Sequence, residues 1–173
     1  MTVSYRNARP DDAAVLADLH RRAFVETFGH LYGRRDLDAF LAQLTEEGFR
    51  DELADARYEV RFAEAEGAPV GFAKLGPIGL PVDPVRPALE LKQLYLLKPW
   101  QGRGIADALT AWLLERARAR GAEELYLSVW SQNGRARRFY ERYGFVFFAP
   151  YAFMVGDQAD EDEIMRLSLE PAQ

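Results

Sequence analysis

The hydrophobic pattern of the chain changes period along its length, which predicts a fold that mixes strands with helices. Residues 89–97 (LELKQLYLL) are rich in strand formers, and residues 105–117 then repeat apolar side chains at helical spacing. Residues 124–130 return to the two-residue alternation of a strand, and residues 136–143 carry a second helical stripe. The middle of the chain is therefore predicted to run strand, helix, strand, helix.

The flanking segments predict further elements of both kinds. Before the middle we expect a strand over residues 3–9, then a helix from Asp11 or Asp12 to about residue 24, and then a loop. A second helix is expected over residues 37–44, and residues 49–53 continue or repeat it. Residues 58–65 and 69–75 are expected to form a hairpin. Residues 77–87 carry four prolines and predict a stiff loop. Residues 145–150 and 164–169 predict two final strands joined by an acidic loop.

Composition narrows the class of protein. The chain has 173 residues, of which 49% are hydrophobic, and we expect a single domain over residues 1–173. Its net charge of −5 offers no bulk attraction to nucleic acid or to an anionic membrane, and it favours cationic small molecules. No signal-peptide pattern or membrane-length apolar run is present, so we expect a cytoplasmic protein.

Residues suited to metal or nucleophilic chemistry are few. The absence of cysteine excludes disulfides, thiolate metal sites and a cysteine nucleophile. His20 and His30 have no partners at metal-site or triad spacing, so we expect no metal.

A glycine-containing turn, Gln101 to Ala106 (QGRGIA), lies between the predicted central strand and the helix that follows it. Such a turn directs unpaired amide groups and the positive end of the helix dipole at one point, where a phosphate group commonly binds. Gly102 and Gly104 have no Cβ, so a ligand can approach the backbone closely. A dinucleotide fingerprint does not fit because Asp107 replaces its third glycine, and a Walker loop does not fit for want of Gly-Lys-Ser/Thr.

Two motifs carry a resemblance to a known family. The Gln-x-x-Gly-x-Ala pattern of residues 101–106 resembles the acyl-CoA-binding motif of the GNAT N-acetyltransferase superfamily, and residues 133–145 (NGRARRFYERYGF) resemble its Asn-x-x-Ala-x-x-Phe-Tyr…Gly-Phe segment. Residues 24–44, 130–133 and 153–165 look like the bacterial spermine/spermidine N-acetyltransferase branch.

The resemblance implies an α/β (α+β) fold of the GNAT type. This is a mixed, mostly antiparallel sheet of about seven strands flanked by about four helices. The central strand and the strand over residues 124–130 would run parallel and splay apart. Acetyl-CoA, as cosubstrate, would bind with its pantetheine arm in the gap.

The resemblance also implies where acetyl-CoA binds. The residues whose backbone would pair with the pantetheine arm are Leu94, Tyr95 and Leu96. The amides that would hold the pyrophosphate belong to Gln101, Gly102, Arg103, Gly104, Ile105 and Ala106, with the Arg103 side chain adding charge-assisted contacts. Asn133 would contact the pantetheine amide region, and one or two of the arginines between residues 116 and 142 would reach the 3′-phosphate.

The implied reaction is direct attack of an amine on the thioester, in a ternary complex. An alkylamine has a pKa of about 10.4, so only about one molecule in a few thousand is neutral at pH 7 and a base is needed. Glu90 matches the position of a glutamate base in the family, although it is also an ordinary strand carboxylate that could pair with Lys92. Tyr140 matches the family's general acid and cofactor contact, although it also belongs to the apolar stripe and could simply pack.

The acceptor amine is less well defined. In this family the region after the first helix lines the acceptor pocket, so Glu26, Phe28 and Tyr32 could surround an alkylammonium group, although both rings could equally be core. The acidic residues between 157 and 163 are expected in a solvated loop, from which they could attract a polycation.

Three functions remain open. The first is an acetyl-CoA-dependent N-acetyltransferase acting on a small amine, with a polyamine the leading substrate. The alternatives are acetylation of a protein lysine or N-terminal amine, and a CoA-sensing protein without turnover. Dimers are common in this family, so the resemblance makes a homodimer one possible state of the protein and leaves the oligomeric state open.

Overall fold

A seven-stranded sheet runs through the protein, with helices on both of its faces. The structure is a computed structural model, and it describes residues 2–170. The strands are β1 Val3–Asn7, β2 Glu59–Ala65, β3 Ala68–Gly76, β4 Ala88–Leu96, β5 Glu124–Trp130, β6 Val146–Val155 and β7 Gln158–Ser168. The α-helices are α1 Ala13–Phe28, α2 Arg34–Leu41, α3 Glu46–Ala54, α4 Ile105–Ala119 and α5 Gly134–Arg142.

The sheet has the order β1-β2-β3-β4-β5-β7-β6 and is antiparallel except between β4 and β5. This confirms the predicted mixed, mostly antiparallel sheet, with five α-helices in residues 2–170 where about four were expected.

The parallel pair of strands splays apart, as predicted. β4 and β5 are paired only from Ala88↔Glu124 to Glu90↔Tyr126. Beyond Glu90, β4 stays paired with β3 as far as Leu96, and β5 stays paired with β7 as far as Trp130. Each strand therefore keeps one hydrogen-bonding edge satisfied while the other edge faces a gap in the middle of the sheet.

Two hydrophobic cores occupy opposite faces of the sheet. Phe62 and Ala63 are adjacent in β2 and so point to opposite faces. Phe62 belongs to the core that packs against α1, whereas Ala63 belongs to the core that packs against α4, where Leu109 and Leu113 are fully buried. Each fully buried leucine contributes roughly 1.5–3 kcal/mol to folding. The helical stripes found in the sequence are therefore the surfaces that hold α1 and α4 on the sheet.

The region between α1 and β2 contains two helices, α2 and α3. The hydroxyl of Thr45 accepts the amide hydrogen of Gly48 at 3.1 Å, so Thr45 is the N-cap and α3 begins at Glu46. Gly48 therefore lies inside α3 and does not separate the two helices. The second of the two predicted possibilities, a repeat of the helix, is the one observed.

The prediction of an acidic loop near the carboxyl end was wrong. β6 and β7 form a tight hairpin whose last pair is Val155↔Gln158, and residues 160–163 lie within β7. β7 is hydrogen-bonded to β5 on one side and to β6 on the other, and this pairing outweighs the low strand preference of acidic residues. Alternate carboxylates of β7 consequently face the protein interior.

Candidate active site

A cavity of about 580 Å³ fills the gap between β4 and β5. Its volume is within the usual range for a small-molecule or cofactor site, about 300–1,000 Å³. One part of its wall comes from α4, α5 and the turns before them, namely Gln101, Gly102, Ala106, Asn133, Ala136 and Tyr140. Another part comes from α1, α2, β6 and β7, namely Phe24, Phe28, Phe40, Phe153, Asp160 and Asp162. The splay thus joins the two faces of the sheet in one continuous site.

The glycine turn presents unpaired amides beside this cavity. Gly102 and Gly104 have φ angles of 74° and 79°, a left-handed conformation that glycine adopts without strain. The first backbone hydrogen bond of α4 runs from Ala108 N–H to the Gly104 carbonyl at 3.1 Å. The amides of residues 102–107 donate to no backbone carbonyl within residues 2–170. They form a concave set of donors at the amino end of α4, which suits a phosphate or diphosphate group.

A single arginine adds positive charge at the cavity wall next to this turn. Arg135 lines the cavity, and its Nη1 donates to Gln101 Oε1 at 3.2 Å. Arg103, which the motif favoured, is exposed instead and stacks on the Trp100 ring at 5.0 Å. Arg135 was only one of several arginines considered from the sequence, because nothing local indicates that it folds back beside Gln101. Together the donors and this guanidinium fit the diphosphate that an acyl-CoA would bring.

The predicted pantetheine contacts lie along the open edge of β4. Leu94, Tyr95 and Leu96 line the cavity, and their strand pairs with β3 on its other edge. Asn133 also lines the cavity, and its Oδ1 accepts the Ala136 amide at 3.2 Å to cap α5. The Asn133 Nδ2 group donates to no residue in the part of the chain that the structure describes, so it remains available to a ligand. Ile105, in contrast, is buried in the core.

Tyr140 is both a core residue and a cavity residue. Its ring is 9% exposed and meets Phe145 edge-on at 5.7 Å. Its hydroxyl makes no hydrogen bond to any side chain or backbone group of residues 2–170. Burial, reinforced by the neighbouring Tyr95, raises the pKa of the Tyr140 phenol above its ordinary value. At neutral pH the hydroxyl is therefore a protonated donor without a protein acceptor.

Glu90 is placed apart from the cavity wall. Its Oε2 accepts a hydrogen bond from Lys92 Nζ at 2.6 Å and from the Gly79 amide at 3.0 Å. It lies at the closed end of the parallel pair, opposite Tyr126, and is not among the residues that line the cavity. The structure thus brings Tyr140 together with the glycine turn but does not bring Glu90 to the same wall.

The predicted acceptor residues divide in the same way. Phe28 and Tyr32 line the cavity, and the Tyr32 ring stacks on Phe24 at 5.9 Å. Glu26 does not line it, because its Oε2 accepts the Lys98 amide at 2.9 Å. The Tyr32 hydroxyl donates to Asp160 Oδ2, which fixes an aromatic ring beside a carboxylate.

Two carboxylates of this wall were expected in a solvated loop. Asp160 and Asp162 both line the cavity, and Asp162 is only 8% exposed. Burial, with a smaller contribution from the nearby Asp160 charge, raises the pKa of Asp162 to about 7. Their spacing of two residues is the local signal for a shared strand face, had the segment been read as a strand.

A buried histidine also reaches the cavity. His20 is 4% exposed and packs among the rings of Phe49, Phe72 and Tyr95. Burial, together with the positive charges of Lys74 and Arg21, lowers the pKa of His20 to about 3.

Within residues 2–170 no cluster of three His, Cys, Asp or Glu side chains could hold a metal ion. None of the helices in that same range has the length and apolar character needed to cross a membrane.

A family model and a curated relative both match this chain, and both describe N-acetyltransferases. The model of the Acetyltransferase (GNAT) family matches residues 15–145. An uncharacterised N-acetyltransferase of Mycobacterium bovis is 31% identical over 155 residues, which cover 89% of this chain and 96% of that protein.

Two solved structures share the fold. The PaiA N-acetyltransferase of Thermoplasma acidophilum in complex with coenzyme A superposes with a TM-score of 0.79 at 21% identity, covering 97% of this chain and 99% of that one. The structure of Salmonella typhimurium yncA with its cofactor acetyl-CoA gives 0.74 at 21% identity, covering 100% and 97%. With the family model matching most of its length, this chain belongs to the GNAT family and is an N-acetyltransferase.

Proposed function

We propose that this N-acetyltransferase transfers the acetyl group of acetyl-CoA to a primary amine of a small cationic molecule, with polyamines the leading substrate class. The amine would attack the thioester directly while both substrates are bound. The observation that supports this most strongly is the continuity of one cavity from the unpaired amides of residues 102–107 to the carboxylates of Asp160 and Asp162. One end suits a diphosphate and the other suits an ammonium group.

The binding of acetyl-CoA is supported by chemistry on one side of the gap. The amides of the glycine turn and the Arg135 guanidinium would hold the diphosphate. The open edge of β4 at residues 94–96 would accept the amides of the pantetheine arm as it would another strand. When bound there, the cosubstrate supplies an activated acetyl thioester. The solved relatives that carry coenzyme A or acetyl-CoA support this assignment.

Tyr140 is proposed to assist departure of the thiol. Its phenol stays protonated because burial raises the pKa, so it can donate a hydrogen bond to the sulfur as negative charge develops there. The role of Glu90 as the base stays a prediction. Its ion pair with Lys92 supports the alternative, in which Glu90 only stabilises the fold.

A cationic acceptor is supported by the opposite wall. Phe28, Tyr32 and Trp130 present aromatic rings there, and such rings attract ammonium groups. Asp160 and Asp162 add two carboxylates, neither of which forms an ion pair with a Lys or Arg of residues 2–170. Two carboxylates on one wall suit an acceptor with more than one positive charge. Glu26, which bonds to the Lys98 backbone, would take part only if it rearranged.

A test of the substrate class is thiol release from acetyl-CoA with a panel of acceptors. We expect kcat/KM for spermidine to exceed that for n-butylamine by at least about tenfold, since a second ammonium gains a charged contact worth more than about 1.4 kcal/mol. A lysine-containing peptide and a reaction without acceptor are the controls. Preference for the peptide would favour a protein substrate, and acetyl-CoA binding without turnover of any acceptor would favour a sensor.

The homodimer that the resemblance suggests and the cytoplasmic location expected from the sequence stay predictions. Sedimentation of the purified protein would measure the first, and fractionation of cells the second.

A further inference from the structure

We propose that Asp162 is the catalytic base, the carboxylate that takes a proton from the bound acceptor ammonium. The inference rests on the proposed function and names a residue of the same site. It is an alternative to the sequence-based expectation that Glu90 serves as the base.

Asp162 lies on the wall of the cavity. Its register in β7 places it opposite Trp130 of β5 and Tyr151 of β6, and both Asp162 and Trp130 line the cavity. Asp162 is 8% exposed, and its carboxylate oxygens are not fully enclosed by protein. Within residues 2–170 the carboxylate accepts no hydrogen bond and forms no ion pair, so it meets the cavity without a protein partner. A largely desolvated carboxylate is stabilised when a ligand supplies such a partner. An ammonium group in the cavity is such a partner.

Glu90 differs in each of these respects. It already accepts two hydrogen bonds, one of them from the cationic Lys92. The Glu90 carboxylate is therefore already satisfied by protein partners, whereas the Asp162 carboxylate has none within residues 2–170. Glu90 is also not among the residues that line the cavity, and its partner Lys92 is.

Tyr95 on β4 lines the same cavity as Asp162 on β7 and Tyr140 on α5. These side chains come from elements on both sides of the gap between β4 and β5. An amine held in this cavity would have a base on one wall and a hydrogen-bond donor for sulfur on another.

The groups around Asp162 favour a neutral carboxyl at moderate pH. The groups whose charges interact with Asp162 are Asp160 on β7, Tyr32 after α1, Tyr95 on β4 and Tyr151 on β6, and none of these four is cationic. The cations that line the same cavity have other partners, since Lys92 pairs with Glu90 and Arg135 bonds to Gln101. Burial and the Asp160 charge place the pKa of Asp162 at about 7, close to the value at which a general base works best at neutral pH. A bound ammonium would lower this pKa, because it stabilises the ionised form.

In the proposed step the acetyl group passes from sulfur to the amine nitrogen. Asp162 removes one proton from the ammonium, and the freed nitrogen pair forms a bond to the acetyl carbon. The carbon–sulfur bond breaks and its electron pair leaves on sulfur, with Tyr140 donating a hydrogen bond. The new amide loses a second proton, the sulfur gains one, and one proton is released overall.

The experiment compares Asp162→Asn with Glu161→Gln, the neighbouring carboxylate on β7 that points away and is exposed. The measurement is kcat/KM for spermidine from pH 5.5 to 9.5, with acetyl-CoA affinity by calorimetry as the folding control. Wild type should lose activity below an apparent pKa near 7, and E161Q should reproduce that profile. D162N should lose at least about 100-fold in kcat/KM at pH 7 and recover as the pH approaches the amine pKa of about 10, since free amine then becomes abundant.

Two further variants keep the test decisive. Asp162→Glu retains a carboxylate, and its acid limb should move to a different pKa; this variant replaces D162N if D162N fails to bind acetyl-CoA. Glu90→Gln should keep the limb near pH 7. A limb unchanged in the Asp162 variants, or abolished only in E90Q, overturns the assignment of Asp162 and leaves the proposed function intact. Absence of wild-type turnover with every acceptor overturns both.

Discussion

At the scale of single residues, Tyr140 shows how one side chain serves the core and the site together. Its ring is packed against Phe139 and Phe145, while its hydroxyl faces the cavity and has no bonding partner within residues 2–170. The ring contacts would survive removal of the oxygen, so loss of the hydroxyl isolates the chemical role from the packing role.

The variant Tyr140→Phe should therefore lower kcat by about 100-fold and leave the free energy of unfolding nearly unchanged, because one donor to a developing anion is worth about that much. Stopped-assay thiol release gives the rate, and urea unfolding gives the stability. Tyr143→Phe is the matched control, since the Tyr143 hydroxyl bonds to Asp107 outside the cavity. Equal turnover by wild type and Y140F would remove Tyr140 from the mechanism.

At the scale of elements, a glycine with positive φ lies at each end of α4. Gly104 has a φ of 79° at the amino end of α4, and Gly121 has a φ of 80° just beyond its carboxyl end. Among the atoms of residues 2–170, an added Cβ would meet none within 4 Å at either position, so only backbone strain distinguishes alanine from glycine there. The two positions form a natural pair, one beside the cavity and one distant from it.

Replacing each by alanine should cost about 1–2 kcal/mol of unfolding free energy, the usual cost of a left-handed conformation for a residue with a Cβ. Only Gly104→Ala should also weaken acetyl-CoA binding, by at least about tenfold, because relaxation of the turn would turn amides away from the diphosphate. Calorimetric titration of both variants is the measurement. Equal affinity in G104A and G121A would contradict the role of the turn.

At the scale of the whole molecule, two buried groups make opposite contributions to stability between pH 7 and 4. His20 has its pKa lowered to about 3, so the unfolded chain, with a pKa of about 6.5, binds the proton more tightly and stability falls below pH 6.5. Asp162 has its pKa raised to about 7, above an unfolded value of about 3.9. Its contribution is fully present below pH 4 and is lost as the pH rises through 7. As the pH falls, the Asp162 contribution to the free energy of unfolding therefore rises by about as much as the His20 contribution falls.

We expect the free energy of unfolding of the wild type to change little from pH 7 to 5. Over the same interval D162N should lose about 2 kcal/mol, because the His20 titration is no longer opposed. His20→Leu should instead gain about 2–3 kcal/mol, because only the Asp162 titration remains. Urea unfolding at pH 5, 6 and 7 measures all three. Parallel profiles for wild type and both variants would show that neither group titrates as described.

Local patterns in the sequence determined the central strands and helices, the glycine turn and the position of Tyr140. The periods of its hydrophobic residues gave the elements of the middle of the chain, and the glycines marked the turn whose amides are unpaired. The position of Tyr140 at the cavity followed from a motif. These features depend on the backbone conformation and on neighbours within a few residues, so the amino-acid order is enough to predict them.

Only the tertiary structure decided which charged groups meet in the cavity. Arg135 lies beside Gln101, 34 positions earlier, and the Tyr32 hydroxyl bonds to Asp160, 128 positions later. Asp162 faces inward because β7 is inserted between β5 and β6, and the acidic residues do not themselves specify that pairing. Contacts of this kind depend on how distant strands pair and on which face each side chain then takes, and that is a property of the assembled sheet.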